Sequence, residues 1–196
     1  MNKIVIASGN AGKLREIARI LEPLNMHAAP QSDFGVPECP EPYVTFIENC
    51  LAKARHASAH TGLPALADDS GICVDALNGA PGVHSARYAG EPKSDARNND
   101  KLIAALQGQH NRRAHYYCVI VLVRYADDPE PVIAEGRWFG EIIETPRGDG
   151  GFGYDPHFLL PHLGITGAEM DPDAKNAVSH RGQALRELAA KLKAFS

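Results

Sequence analysis

The chain has 196 residues, 44% hydrophobic and 22% charged, a length that suits one large domain or two closely packed lobes and a composition that excludes a disordered or repetitive protein. Its formal net charge of -4 excludes a general nucleic-acid-coating surface, which would need clustered Lys and Arg against many phosphates, whereas a small phosphorylated ligand needs only a local cluster. Cys39, Cys50, Cys73 and Cys118 show no C-x-x-C spacing and read as reduced core residues, while neither the opening MNKIVIASGN nor the longest apolar run, Tyr116 to Val123, suits a signal peptide or a membrane span, so a cytoplasmic address is expected.

In chain order, Ile4 to Ala7 reads as a short strand, Ser8 to Gly12 as a turn, and Leu14, Ile17, Ala18 and Leu21 as one face of a helix. Thr45-Phe46-Ile47-Glu48 fits a capping box, and Ile47, Cys50, Leu51 and Ala54 continue an apolar stripe to about Gly62. Pro64 to Ala76 reads as a strand broken by a turn at Asp68-Asp69-Ser70-Gly71. Gly79, Pro81 and Gly82 then mark a loop, and Lys93 to Leu106 returns to a helical pattern. His115 to Tyr125 and Val132 to Ile143, rich in β-branched and aromatic residues and separated by Asp127-Asp128-Pro129-Glu130, predict a long hairpin. Gly148 to Pro156 is a glycine-rich loop and Pro172 to Val178 a short helix. Ser179 caps a last helix with Ala184, Leu185, Leu188, Ala189 and Leu192 inward. The mixture predicts an α/β fold, a mixed β-sheet flanked by helices, with residues 1–196 forming a single domain.

Several segments carry possible chemistry. Ser8-Gly9-Asn10-Ala11-Gly12-Lys13 lies between strand and helix, where backbone amides, the helix dipole and an ammonium converge on an anion. It is not a P-loop, which would have Gly at Ala7 and Ser or Thr at Leu14, so any magnesium must find its ligands elsewhere. An ordinary capping turn with an exposed lysine explains the same residues. Asp68 and Asp69 offer the hard oxygen ligands that Mg²⁺ prefers, though adjacent carboxylates repel unless compensated, and a solvated acidic turn is the bland alternative. Glu38 and Glu41 precede the second helix; each is either a further metal ligand or a surface charge. Asn49 and Lys53 share a helix face opposite much of the apolar stripe, from which Lys53 reaches a phosphate or simply solvent. Lys175, His180 and Arg181 bracket Ser179 at a helix start, where cations oppose the dipole unless an acceptor-rich ligand binds. Gly150-Gly151-Phe152-Gly153-Tyr154-Asp155-Pro156 puts aromatic rings beside permissive backbone, a setting for stacking a base or for a tight packed turn.

Together, ASGNAGK at 7–13, TFIENCLAKA at 45–54, ADDSG at 67–71, GAPGVHSARYAG at 79–90, GGFGYDP at 150–156 and SHRGQAL at 179–185 make the chain resemble the ITPase-like or Ham1-like non-canonical purine NTP pyrophosphatases over nearly its whole length. The resemblance implies two lobes with the active cleft between them, a homodimer, and Mg²⁺-dependent hydrolysis of the purine nucleoside triphosphates ITP, dITP and XTP to monophosphate and pyrophosphate. Carried over by motif, Ser8, Gly9, Asn10, Ala11, Gly12, Lys13 and Lys53 hold phosphates, and Asp69 is the catalytic acid/base and a metal ligand. Glu41 matches a metal-site acid, with Asp68 or Glu41 expected to support the metal beside Asp69, and Ser70 touches substrate. Phe152, Gly153, Tyr154, Asp155, Lys175, His180 and Arg181 line the nucleoside end. Tyr43 departs from the family's pattern, which usually has a small residue there. The alternatives are a Maf-like pyrophosphatase for modified pyrimidine nucleotides, which SHRG disfavours, and a non-catalytic nucleotide sensor, which would gain little from carboxylates beside phosphates. Nucleic-acid and membrane partners are not expected.

Overall fold

The computed structural model describes residues 3–9 and 11–194. Seven strands form one sheet in the order β2-β1-β3-β4-β5-β6-β7: β1 (Lys3–Ile6), β2 (His27–Pro30), β3 (Ala65–Val74), β4 (Arg113–Val123), β5 (Val132–Ile142), β6 (Phe158–Leu160) and β7 (Ile165–Thr166). Five α-helices accompany them: α1 (Ala11–Leu21), α2 (Phe46–Thr61), α3 (Asp95–Ala105), α4 (Pro172–Val178) and α5 (His180–Ala194). β1 pairs in parallel with β2 and β3, whereas β6 runs antiparallel to β5 and β7, so the sheet is mixed as expected.

Two compact units share this sheet. One comprises residues 1–69, 118–135 and 183–196, the other residues 70–117 and 136–182. In the first, Ile4, Ile6, Leu66, Ile120 and Leu122 on one sheet face pack with Ile17 and Leu21 of α1 and Ala184, Leu185, Leu188 and Leu192 of α5. Alternate strand residues point the other way. Val5, Ala65, Ala67, Val119 and Val121 are fully buried there, and the Cys50 thiol of α2 donates to the carbonyls of Ala67 and Val119. In the second unit, Ile72 and Val74 join Leu102 and Leu106 of α3 and an aromatic group of Tyr116, Trp138, Tyr154 and Phe158.

Local signals explain the helix ends. The Thr45 hydroxyl accepts the Glu48 amide at 3.3 Å and donates to its carboxylate at 2.5 Å. Ser179 accepts from the Gly182 amide at 3.2 Å and so opens α5. The α2 stripe is rotated from the expected one: Phe46, Cys50, Ala54 and Ala57 are buried, and so is Asn49, while Ile47 and Leu51 are only partly covered.

The expected break in the third strand is absent, because β3 runs without interruption through Asp68-Asp69-Ser70-Gly71. A strand accommodates these polar residues because each acid meets a cation on its own side of the sheet. Short strands β2, β6 and β7 carry too few alternating residues to stand out in the sequence. Of the cysteines, Cys50 and Cys118 are buried, whereas Cys39 and Cys73 are partly exposed and all are free thiols; burial pushes the Cys50 thiol well up.

The β4–β5 turn is organised by Asp128, which is fully buried. Its carboxylate accepts from the Arg124 amide and Nε at 2.9 and 2.8 Å, from Arg124 Nη2 at 2.5 Å, and from the Glu130 amide at 3.0 Å. These bonds, the Arg124 side chain first, hold its carboxyl far below the usual carboxylate range. A depressed carboxyl stabilises the fold above its unfolded value, about 4, and loses that contribution as pH falls through the folded value. Asp128→Ala should lower unfolding free energy by roughly 2 kcal/mol at pH 7, since buried amide donors lose their acceptor. In urea titrations the gap from the wild type should shrink as pH drops below about 4; a pH-independent gap would show that the carboxylate charge does not contribute.

Candidate functional site

The acidic residues of β3 are each matched by a lysine. Asp68 is buried on the same sheet side as Leu66, and its carboxylate lies 2.7 Å from the Lys13 ammonium at the start of α1. Asp69 points the opposite way, toward α2, where Lys53 Nζ stands 3.6 Å from its carboxylate and 2.6 Å from that of Glu41. Glu41 and Asp69 therefore converge on one ammonium. Burial opposes the charge of Lys53, but Asp69 and Glu41 outweigh it and hold its pKa above the ordinary lysine value. For Asp69, burial, with Glu41 and Asp68 adding to it, outweighs the lysines and pushes the carboxyl up to about 6.

Glu41 is placed by a side chain that the sequence reading left as a mere neighbour of Lys53. Asn49, nearly fully buried in α2, accepts the Tyr43 amide and donates to the Tyr43 carbonyl, each at 3.0 Å. This pair of hydrogen bonds to one residue pins the segment two positions after Glu41. The bulk of Tyr43 is harmless there, because the pin uses only its backbone and the side chain is 46% exposed. Glu38 lies in the same segment, exposed.

The segment after β1 turns sharply: the Ala7 amide bonds to Leu66 and the Ser8 amide back to Ile6. Gly9 is exposed and Gly12 and Lys13 are half-buried in or beside the first turn of α1, so this stretch brings backbone amides and an ammonium to the end of β1. Asn10 lies outside the described residues; Ala11 begins the helix.

In the second unit Phe152 and Lys175 meet at Asp155. Its buried carboxylate accepts from Lys175 at 2.5 Å and from the Phe152 amide at 2.8 Å. A methyl on Gly151 would overlap this carboxylate, which is why the tight turn, at φ +72°, needs glycine. The Gly153 amide donates to Asp95 at 2.7 Å and its carbonyl accepts from Asn99 at 2.9 Å. The Phe152 ring is 61% exposed with the Lys175 ammonium 4.9 Å from its centre. Tyr154 differs from its neighbours: its ring is in the core and its hydroxyl is spent on the Ser85 carbonyl at 2.7 Å. Arg181 donates to the Ser70 hydroxyl at 3.2 Å, and both it and His180 are buried. Both side chains at the start of α5 thus sit inside the packed unit rather than in solvent.

Among the described residues no group of three or more His, Cys, Asp or Glu side chains is arranged to hold a metal ion; Glu41 and Asp69 form a two-carboxylate set. Asn99 and the Asn49 pin were missed because a buried amide on a helix carries no sequence signal distinct from a solvated one, and Asp95 because an exposed acid in a first helical turn reads as a surface charge. The coupling around Asp69 can be read by carboxyl carbon NMR in the ligand-free protein. Asp69 should titrate near pH 6, Glu41→Gln should lower that midpoint by removing a like charge, and Lys53→Met should raise it; the opposite order of shifts would overturn the arrangement.

A sequence model of the Ham1 family matches residues 4–191. A protein of Chromobacterium violaceum named dITP/XTP pyrophosphatase is 64% identical over 195 residues, covering 100% of this chain and 99% of its own. One of the same name from Nitrosomonas europaea is 67% identical over 96% of this chain and 93% of its own. The solved structure of a HAM1 protein from Coxiella burnetii superimposes with a TM-score of 0.96 at 50% identity, covering 98% of this chain and 99% of that one. With a family model over residues 4–191, full-length relatives above 60% identity and a solved structure of the same fold, the chain belongs to the Ham1 family.

Proposed function

We propose that this protein hydrolyses the non-canonical purine nucleoside triphosphates ITP, dITP and XTP to a nucleoside monophosphate and pyrophosphate, with Mg²⁺ as cofactor. The observation that carries the reading is the pairing of Asp69 and Glu41 on one ammonium, beside Asp68 and Lys13, in a chain whose relatives bear the name dITP/XTP pyrophosphatase. Two carboxylates that already converge on a cation suit Mg²⁺, which commonly takes one or two protein carboxylates and completes its shell with water and substrate phosphates. Asp69 and Glu41 would hold it, with Asp68 next in the chain. When bound, Mg²⁺ neutralises triphosphate charge and lowers the pKa of a nearby water.

The chain's own groups do the rest. Asp69 orients the attacking water and accepts its proton as the water oxygen bonds to the α-phosphorus and the bond from that phosphorus to the bridging oxygen breaks. Lys13, Lys53 and the amides of 8–13 take up the charge that grows on the departing pyrophosphate. To do so each lysine exchanges part of its carboxylate pairing for phosphate oxygens. At the nucleoside end the exposed Phe152 ring offers a face for the base. His180 and Arg181 offer donors, which match the 6-oxo group of hypoxanthine and xanthine and mismatch the 6-amino group of adenine.

The same reading includes a homodimer and a cytoplasmic address. An outward strip of β4 and β5 supports the first: Phe139 is 64% exposed, it meets the His115 ring at 5.4 Å, and Arg137 covers the Tyr117 ring at 4.6 Å. Four free thiols suit a reducing compartment, and among the described residues no helix is long and apolar enough to cross a membrane.

Phosphorus NMR of the protein incubated with ITP and Mg²⁺ should show pyrophosphate, with ATP a poor substrate; orthophosphate alone would move the cut to another bond. Asp69→Asn should keep its fold by circular dichroism and lose about 100-fold or more in kcat. A normally active Asp69→Asn protein would remove Asp69 from the chemistry.

A further inference from the structure

Tyr116 belongs to none of the motifs, yet its ring packs against His180 at the proposed nucleoside end. Its ring lies almost parallel to the His180 imidazole, with centroids 4.8 Å and planes 10° apart. Trp138 lies beside the pair, 6.1 Å from Tyr116 and 6.5 Å from His180, inclined to the imidazole by 13°. Phe158 meets Tyr116 edge-on at 4.7 Å. Tyr116 is itself only 7% exposed and cannot swing away without opening this core.

A histidine side chain turns about a broad, two-fold terminal torsion, so its backbone alone leaves the plane of the ring loosely defined. A parallel neighbour at stacking distance removes that freedom. The plane matters because a hydrogen bond weakens steeply as its angle falls toward about 120°, and because a neutral imidazole presents a donor at one nitrogen and an acceptor at the other. A ring free to tilt offers the 6-oxo group a poorer donor and meets a 6-amino group with less mismatch. Burial, and then the Asp155 carboxylate, hold the Tyr116 hydroxyl's pKa well above the ordinary tyrosine value, so it stays neutral, and packing of the ring rather than a hydrogen bond of that hydroxyl holds the residue in place.

We propose that Tyr116 is a positioning residue that fixes the plane of His180 by stacking and thereby sets the preference for 6-oxo over 6-amino purines. The proposal rests on the assignment of His180 to the base. Its distinguishing feature is that the ring, not the hydroxyl, carries the effect, and that the effect passes through His180.

The test compares kcat/KM for ITP and ATP in the full-length protein and its variants. Tyr116→Phe should keep the ITP:ATP ratio within about twofold, whereas Tyr116→Met should lower it about three- to tenfold, the range expected for one aromatic stack. The loss should lie mainly in KM for ITP, and in a His180→Ala background Tyr116→Met should change the ratio no further. The stack is also readable without any variant, because ring current from Tyr116 should move the His180 ring protons upfield in the wild-type proton spectrum. An unchanged ratio in Tyr116→Met, equal losses on both substrates, or a ratio loss that persists without His180 would each overturn the proposal. Unshifted His180 protons would do the same even if Tyr116→Met fails to fold. A wild-type protein with no preference for ITP would instead defeat the functional reading itself, and this inference with it.

Discussion

Two carboxylates on consecutive residues of a buried strand set the terms for much of this structure. In a strand, neighbours face opposite sides of the sheet, so Asp68 and Asp69 cannot share one counter-ion. Each needs its own, delivered by a different helix. Lys13 comes to Asp68 with α1, and Lys53 comes to Asp69 with α2. An unpaired buried carboxylate would be costly enough to protonate or to break the strand. The order of elements around β3 is therefore tied to the polar residues within it, and the same two lysines are the ones proposed to meet phosphate.

The pairing also separates roles. Asp68 has one close ammonium and is almost wholly buried, a setting that favours a fixed structural charge. Asp69 shares Lys53 with Glu41, and its carboxyl is pushed up to about 6, which marks a group whose charge is held at some expense and relieved by a further cation. Asn49 belongs to this arrangement because it fixes the backbone that brings Glu41 to the shared ammonium. In the other unit Asp155 plays the comparable part, holding Lys175 and the Phe152 amide at one carboxylate so that the glycine-rich turn keeps its shape.

Much of the fold was legible where a local rule acts alone. The Thr45 and Ser179 caps, the β4–β5 hairpin and the Pro172–Val178 helix follow from side chains that bond to their own neighbouring backbone or from runs of β-branched and aromatic residues. The continuity of β3 was not legible, since Asp-Asp-Ser-Gly is a turn signal whenever its carboxylates lack distant partners. The rotated α2 stripe was missed for a related reason: Asn49 is polar in sequence and buried in fact, because both ends of its amide are satisfied by Tyr43. The role inferred for Tyr116 was invisible in the strand pattern, where an inward tyrosine reads as ordinary core.

The amino-acid sequence by itself determined the family, the mixed α/β architecture and most helix limits, and it singled out the acids and bases proposed for the chemistry, because motif order and capping are properties of short stretches of chain. Tertiary structure alone decided which lysine serves which carboxylate, that Glu41 and Asp69 converge while Asp68 faces away, and that His180 lies flat against Tyr116. Those outcomes depend on which sheet face a residue occupies and on which helix covers that face, and both are settled only when segments far apart in the chain pack together.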